Sequence, residues 1–151
     1  MSSPSGTPRF DYEIHIGAPV ARVWHALADG EMTPHYAFGT RFEGRLVKGA
    51  PYAFIADGAF RAVDGEILDL QPERRLVMSW RAHWDPAVEH DPPSRVTYEL
   101  ESTSPLTTRL RLTHDQFACD SATHTGSAAS WPLMLSSLKT LLESGTPFPA
   151  T

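Results

Sequence analysis

Apolar and polar residues alternate along the first patterned segment of the chain, from Phe10 to Ile16. A period of two predicts a strand with one buried face. The next segment has the helical period, with apolar residues at Val20, Val23, Trp24 and Leu27. Pro19 can begin this helix because its missing N–H is not needed in a first turn. Asp29-Gly30 ends it, and residues 31–36 are expected to form at most one helical turn.

Six further strands are predicted in the middle of the chain, because turn residues interrupt the apolar pattern at short intervals and no helical period intervenes. They cover residues 40–46, 52–56, 59–70, 75–84, 95–102 and 108–115. Asp57-Gly58 predicts a two-residue hairpin turn. Residues 85–93, the longest connection, are expected to be a mobile loop at the rim. Strands in this order indicate an antiparallel meander.

A broad apolar stripe near the C-terminus predicts a long final helix. Its members are Trp131, Met134, Leu135, Leu138, Leu141 and Leu142. Pro132 fits best in a first helical turn, so Ser130 is expected as the N-cap in preference to Ser127. Gly145 fits the position that follows a helix. The predicted fold class is α+β, with a seven-stranded curved antiparallel sheet around this helix.

Length and charge narrow the class of protein. The 151 residues suit one domain, expected over residues 10–146, with residues 1–9 as a disordered leader and 147–151 as a tail. The net charge of −5 argues against a nucleic-acid partner. No apolar run is long enough for a membrane span, and no secretory signal begins the chain, so a cytoplasmic location is expected. A single Cys excludes an internal disulfide.

Several short motifs, in a fixed order and spacing, carry a resemblance to a known family. They include Ala18-Pro19 with Val23-Trp24, Gly49-Ala50-Pro51-Tyr52, Gly65-Glu66-Ile67-Leu68 with Gln71-Pro72, Ser79-Trp80, Val96-Thr97-Tyr98-Glu99-Leu100, and Trp131 with Leu138-Lys139. The chain resembles the activator of Hsp90 ATPase homologue family, in the SRPBCC (START-like, helix-grip) superfamily. The resemblance implies a helix-grip fold with a cavity between helix and sheet. It implies no single reaction.

The inward faces of the predicted strands are almost entirely apolar. Their two polar members are Tyr98 and His114. His114 titrates in a range that suits an acid, a base or a ligand-orienting donor, and the alternative is a histidine bonded within the protein. The other predicted contacts to a ligand are Trp80, Trp84, Trp131, Met134, Leu135 and Leu138. His35 and Tyr36 lie where the cavity of this family often opens.

Two further features of the sequence are candidate reactive sites. The first gathers near the longest loop and consists of His83, Asp85, Glu89, His90 and Asp91. Its spacing matches no closed zinc motif, so a solvated acidic loop is the preferred interpretation and no metal is expected. The second is Cys119, which is interpreted as an ordinary thiol because no activating partner is evident. No phosphate-binding loop or nucleophile elbow occurs, and no cofactor is expected.

Three functions follow as hypotheses. The first is binding of a small apolar molecule, lipid-like or aromatic, in the cavity. The second is a cyclase/aromatase-like or hydrolase-like enzyme with Tyr98 and His114 as acid and base. The third is a co-chaperone-type interaction module. A chaperone contact is the less favoured partner, because the eukaryotic namesakes carry an additional N-terminal domain for which these residues have no room; a homodimer stays open.

Overall fold

The computed structural model describes residues 9–117 and 122–146. The expected leader up to residue 8, the expected tail and Cys119 lie outside the described residues. The described helices and strands are β1 (Phe10–Ile16), α1 (Val20–Leu27), β2 (Arg41–Gly44), β3 (Pro51–Ala56), β4 (Phe60–Gln71), β5 (Arg75–Ala82), α2 (Pro86–Glu89), β6 (Ser94–Ser104), β7 (Thr107–Asp115) and α3 (Ala122–Ser144). Short 3-10 turns occupy Thr33–His35 and Asp57–Ala59. In these described ranges, no helix is both long and apolar enough to cross a bilayer.

The strands form one antiparallel sheet in the order β1-β7-β6-β5-β4-β3-β2. The predicted seven-stranded antiparallel sheet is therefore confirmed, with β2 to β7 as the predicted meander and β1 paired to β7. The register shifts between β3 and β4 at Phe54/Ile55 and between β4 and β5 at Ile67/Asp69, and such irregularities bend strands and curve a sheet. At Gly65 a Cβ atom would come within 2.2 Å of the Ser79 carbonyl oxygen, so only glycine lets β4 approach β5 this closely.

The concave face of the sheet holds the core, and α3 packs into it. On β5, β6 and β7 the buried residues on this face include Leu76, Met78, Val96, Tyr98, Leu110 and Leu112. From α3, Leu135, Leu138 and Leu142 are buried in the same cluster. The convex face carries cross-strand ion pairs such as Arg95 with Asp115. The alternation predicted for β5, β6 and β7 is confirmed up to Ala82.

The start of the last helix was predicted wrongly. α3 begins at Ala122, eight residues before Ser130, and Pro132 lies inside it. The reason is a cap from a distant part of the chain: the Asp91 carboxylate accepts hydrogen bonds from the Thr123 N–H at 2.8 Å and from its hydroxyl at 2.7 Å. Ser130 is not a cap, because its hydroxyl donates to the Gly126 carbonyl within the helix.

The connections also differ from the prediction. The hairpin between β3 and β4 has three residues, since Ala56 pairs with Phe60, and Ala59 adopts a φ of 61°. Residues 85–93 contain α2, so this connection is not an unstructured loop. Asp85 caps α2 by accepting from the Ala87 N–H, and Val88 is buried. β2 and β5 are both shorter than predicted. Because β5 ends at Ala82, Trp84 lies outside the sheet.

The burial of α3 gives a stability prediction. Leu138 is fully buried, so Leu138→Ala should lower the free energy of unfolding by about 2–5 kcal/mol, as truncation of a buried leucine does. Leu133→Ala on the same helix is the control, because Leu133 is 58% exposed and its truncation should change stability by about 0.5 kcal/mol or less. Denaturant unfolding of both variants measures the difference. Equal effects would mean that α3 is not held by this face.

Candidate functional site

A cavity of about 380 Å³ opens between α3 and the part of the sheet formed by β3, β4 and β5. The helix contributes Ser127, Ser130, Trp131 and Met134, which share one face because they follow helical spacing. The sheet contributes Phe54, Ala56, Phe60, Ala62, Val63 and Trp80. The lining is completed by Ala37, Phe38, Thr40 and Trp84. The cavity therefore lies where a helix and a curved sheet diverge.

The lining of this cavity carries no charged side chain among the described residues. Six of its members are aromatic, namely Phe38, Phe54, Phe60, Trp80, Trp84 and Trp131. Its polar side chains, besides the indoles, are the hydroxyls of Thr40, Ser127 and Ser130. Such a surface favours an apolar occupant, since it offers no countercharge to an ion that would lose its hydration.

A larger groove of about 620 Å³ lies on the outer surface beside β5, β6 and β7. Its walls carry several Arg and Glu side chains that pair with each other or with neighbouring carboxylates. Arg109 pairs with Glu101, and Arg111 pairs with Glu13 at 2.8 Å. Exposed ion pairs of this kind are screened by solvent and contribute little. The smaller apolar cavity is the candidate site.

The mouth of the cavity is rimmed by exposed aromatic residues. Phe38, Phe60 and Trp84 are 63%, 47% and 43% exposed, and all three belong to the lining. Phe38 also adopts a φ of 55°, in the left-handed region that a phenylalanine rarely occupies. The surrounding turn holds Phe38 in this conformation at the rim rather than in the core.

The inner wall is a cluster of aromatic rings centred on Trp80. Its ring centroid lies 5.2 Å from that of Trp131 and 5.8 Å from that of Phe54. Tyr98 packs edge-on against Trp131 at 6.2 Å, on strand β6. Contacts at these distances and tilted angles stabilise rings beyond the area that they bury. The wall therefore holds its shape through contacts between β3, β5, β6 and α3.

A chain of hydrogen bonds behind this wall fixes Trp131. Trp131 Nε1 donates to His114 Nδ1 at 3.0 Å, and His114 Nε2 lies 2.7 Å from Ser94 Oγ. An imidazole that accepts at Nδ1 in its neutral form carries its proton on Nε2. His114 therefore donates to Ser94, whose hydroxyl donates in turn to the Trp80 carbonyl at 3.2 Å. Both nitrogens of His114 are thus used within the protein.

The environment of His114 keeps it neutral. It is completely buried, and this burial lowers the pKa of the imidazole to about 3. Burial likewise raises the pKa of the Tyr98 phenol, which stays protonated. Neither group presents a charge towards the cavity at neutral pH.

His83 connects β4 and α2 beside the cavity. Its Nε2 lies 2.9 Å from Asp64 Oδ1 on β4, and its Nδ1 lies 2.7 Å from Glu89 Oε1 on α2. Partial burial lowers the pKa of His83, but the hydrogen bonds and charges of both carboxylates outweigh it, so the pKa is raised overall. Only the imidazolium can donate to both carboxylates at once. This contact ties α2 to the sheet next to Trp84.

The acidic residues of this segment are thus structural rather than merely solvated. Asp85 caps α2, Asp91 caps α3 and Glu89 pairs with His83. In residues 9–117 and 122–146 no group of three or more His, Cys, Asp or Glu side chains has an arrangement that could hold a metal ion.

The structure places four of the ten predicted ligand contacts on the cavity lining, namely Trp80, Trp84, Trp131 and Met134. Tyr98 and His114 pack against Trp131 from the sheet, outside the lining. Leu135 and Leu138 belong to the core. His35 and Tyr36 lie at the 3-10 turn, where the Tyr36 hydroxyl donates to the Ala26 carbonyl at 2.6 Å.

Sequence reasoning missed several lining residues. Phe54 lies on the same face of β3 as Tyr52. Because residues on both faces of β3 are buried, the hydrophobic pattern did not distinguish the face that lines the cavity. Ser127 was considered only as a helix cap, although its spacing from Trp131 and Met134 places it on the same helix face. Phe38 precedes the predicted strand 40–46, and Phe60 lies at the very start of the predicted strand 59–70. The alternation of apolar residues therefore identified neither as a lining residue.

A curved antiparallel sheet that grips a long C-terminal helix, with an apolar cavity between the two, defines a helix-grip protein. The chain belongs to the family described as activator of Hsp90 ATPase homolog 1-like protein, whose model matches residues 17–143. No curated protein matches the chain.

Solved structures agree with this assignment. Protein MLL2253 from Mesorhizobium loti is 27% identical, with a TM-score of 0.76 over 90% of this chain and 97% of its own. The Aha1 dimer from Colwellia psychrerythraea is 20% identical, with a TM-score of 0.73 over 91% and 98%. PFC0360w, an HSP90 activator from Plasmodium falciparum, is 17% identical, with a TM-score of 0.70 over 89% and 96%. The last two likenesses show the fold alone.

The buried neutral state of His114 predicts a pH dependence of stability. The pKa of His114 is about 3 in the folded protein and about 6.5 in the unfolded chain, so between these values the unfolded chain binds one more proton. Stability contributed by neutral His114 is therefore complete above pH 6.5 and is lost as the pH falls towards 3. His114→Gln, whose amide can both accept and donate, should remove this dependence.

The measurement is the free energy of unfolding in denaturant from about pH 4 to pH 6. Across this window the slope for the wild type should exceed that of His114→Gln by about 1.4 kcal/mol per pH unit. Parallel profiles for the two proteins would contradict a buried, neutral His114.

Proposed function

We propose that the protein binds a small, uncharged, largely apolar molecule in the cavity between α3 and the sheet, without transforming it. The observation that carries this proposal is the lining of the cavity, which is rich in aromatic side chains and carries no charge among the described residues. A volume of about 380 Å³ is at the lower end of the range of about 300–1,000 Å³ in which ligand sites fall. The occupant is thus a compact molecule of a few rings.

The aromatic rings of the lining supply the contact area. Trp80 and Trp131 form the inner wall, while Phe38, Phe60 and Trp84 surround the mouth. Burying roughly 400 Å² of apolar surface on ligand and wall together contributes about 10 kcal/mol, from which association subtracts at least about 4 kcal/mol. The remainder is at most about 6 kcal/mol, which corresponds to a dissociation constant in the tens of micromolar or weaker.

Binding is favoured over acid–base catalysis by the chemistry of the lining. No titratable carboxylate or imidazole lies on it within the part of the chain that the structure describes. The two groups predicted as acid and base, His114 and Tyr98, are outside the lining, and His114 has both nitrogens engaged. A proton would therefore have no titratable carboxylate or imidazole on the described lining to receive it or to supply it.

For a co-chaperone role and for a homodimer, the support comes only from the descriptions of similar solved structures. The Plasmodium falciparum relative is described as an HSP90 activator, and the Colwellia psychrerythraea relative as a dimer. Their identities to this chain support the fold and do not carry either property. A homodimer stays a prediction, which sedimentation velocity of the purified protein would test.

The proposal predicts binding of 2-ethylnaphthalene, a compact apolar probe without a hydrogen-bonding group. Titration followed by tryptophan fluorescence should give saturable binding in the tens of micromolar or weaker, because Trp80 and Trp131 face the cavity. Met134→Trp should weaken this binding by about tenfold or more, since the larger ring occupies space in the cavity.

Leu133→Trp is the matched control, because it makes the same kind of substitution one residue earlier on α3 at an exposed position. It should leave the affinity for the probe within about twofold of the wild type. Binding that is equally strong in both variants would place the probe outside this cavity, and no binding to the wild type would refute the proposed function.

A further inference from the structure

The hydroxyl groups on the cavity lining are not equivalent. Thr40 donates its proton to the Ala37 carbonyl at 2.6 Å, and Ser130 donates to the Gly126 carbonyl at 2.8 Å. Ser127 has no hydrogen-bond partner among the described residues. A serine inside a helix commonly donates to the carbonyl four residues earlier, as Ser130 does, so the free hydroxyl of Ser127 departs from that pattern.

Ser127 is buried but its hydroxyl is not sealed in. The residue is only 3% exposed and lines the cavity. In the described ranges, Trp80 Nε1 is the one side-chain polar atom that is both fully enclosed and without a partner. The Ser127 hydroxyl also lacks a partner but is not fully enclosed, so it retains some solvent-accessible surface. Because Ser127 lines the cavity, we take this surface to face the cavity.

A buried donor without a partner costs free energy that a ligand can recover. Leaving a buried polar group unpaired is unfavourable, and a hydrogen bond formed in an apolar site compensates for it. The ligand group that accepts this hydrogen bond must be neutral, because the described lining has no cation to balance a carboxylate or a phosphate. A carbonyl oxygen meets both conditions.

We propose that Ser127 is the residue that recognises a carbonyl oxygen on the bound molecule, so that the ligand class is an uncharged aromatic ketone or quinone. This inference rests on the proposed function, since it assigns a polar contact within the same cavity. The rings of such a ligand would pack against the wall that Trp80 and Trp131 form together, on the same lining as Ser127. Spacing on α3 puts Ser127 one helical turn before Trp131, on the same face.

Two probes of nearly equal size test this assignment. 2-Acetylnaphthalene carries a ketone oxygen, whereas 2-ethylnaphthalene has the same ring system and no acceptor. Ser127→Ala should weaken the binding of the ketone by about 3- to 10-fold, as expected for one neutral hydrogen bond, and should leave the hydrocarbon within about twofold. Ser137→Ala is the matched control, because Ser137 is a buried serine of α3 that is not on the lining.

The outcomes separate the two proposals. Loss of affinity for the ketone alone supports the role of Ser127. If Ser127→Ala changes both probes equally or neither, Ser127 does not recognise the carbonyl, while binding in the cavity stands. If the wild type binds neither probe, both proposals fail. Because a folding defect would weaken both probes together, the ratio of their two dissociation constants is the quantity to compare.

Discussion

Burial of one face of α3 against the concave side of the sheet is the interaction on which the rest of the structure depends. Leu135, Leu138 and Leu142 supply the apolar contact. Since apolar contact is not directional, polar bonds fix where the helix lies along the sheet. Asp91 holds its beginning at Thr123. At its end Glu143 accepts from the Gly17 N–H at 2.6 Å.

Between these two ends a buried polar contact holds the helix from the inside and also shapes the cavity. Trp131 donates a hydrogen bond to His114, His114 donates to Ser94, and Ser94 donates to the backbone carbonyl of Trp80. One buried hydrogen-bonded chain therefore joins the Trp131 indole to the backbone that carries the Trp80 indole. Its members need a neutral histidine, which burial provides. His114 is a candidate reactive group from the sequence alone, but in the structure its role is to hold Trp131 in the aromatic wall of the cavity.

Local patterns were enough to predict the sheet and the buried stripe of α3, because each strand and the helix carry their own period. The start of α3 was not predictable in this way, since its cap, Asp91, lies 32 residues before Thr123 in the sequence. The same limit applies to the site. The alternation of apolar residues predicted that Trp84 belongs to the sheet. In the structure β5 ends at Ala82, and the Trp84 indole lies at the mouth of the cavity. Phe38 depends on a backbone conformation that no periodicity reports.

The central claim is that an apolar ligand occupies the space between α3 and the sheet. Its most direct test is nuclear Overhauser spectroscopy on protein with carbon-13 methionine methyl groups, saturated with 2-ethylnaphthalene. Met134 lines the cavity, whereas Met78 is buried in the core beyond the lining. The account predicts cross-peaks from the naphthalene ring protons to the Met134 methyl group. A saturated complex without any cross-peak to Met134 would contradict it.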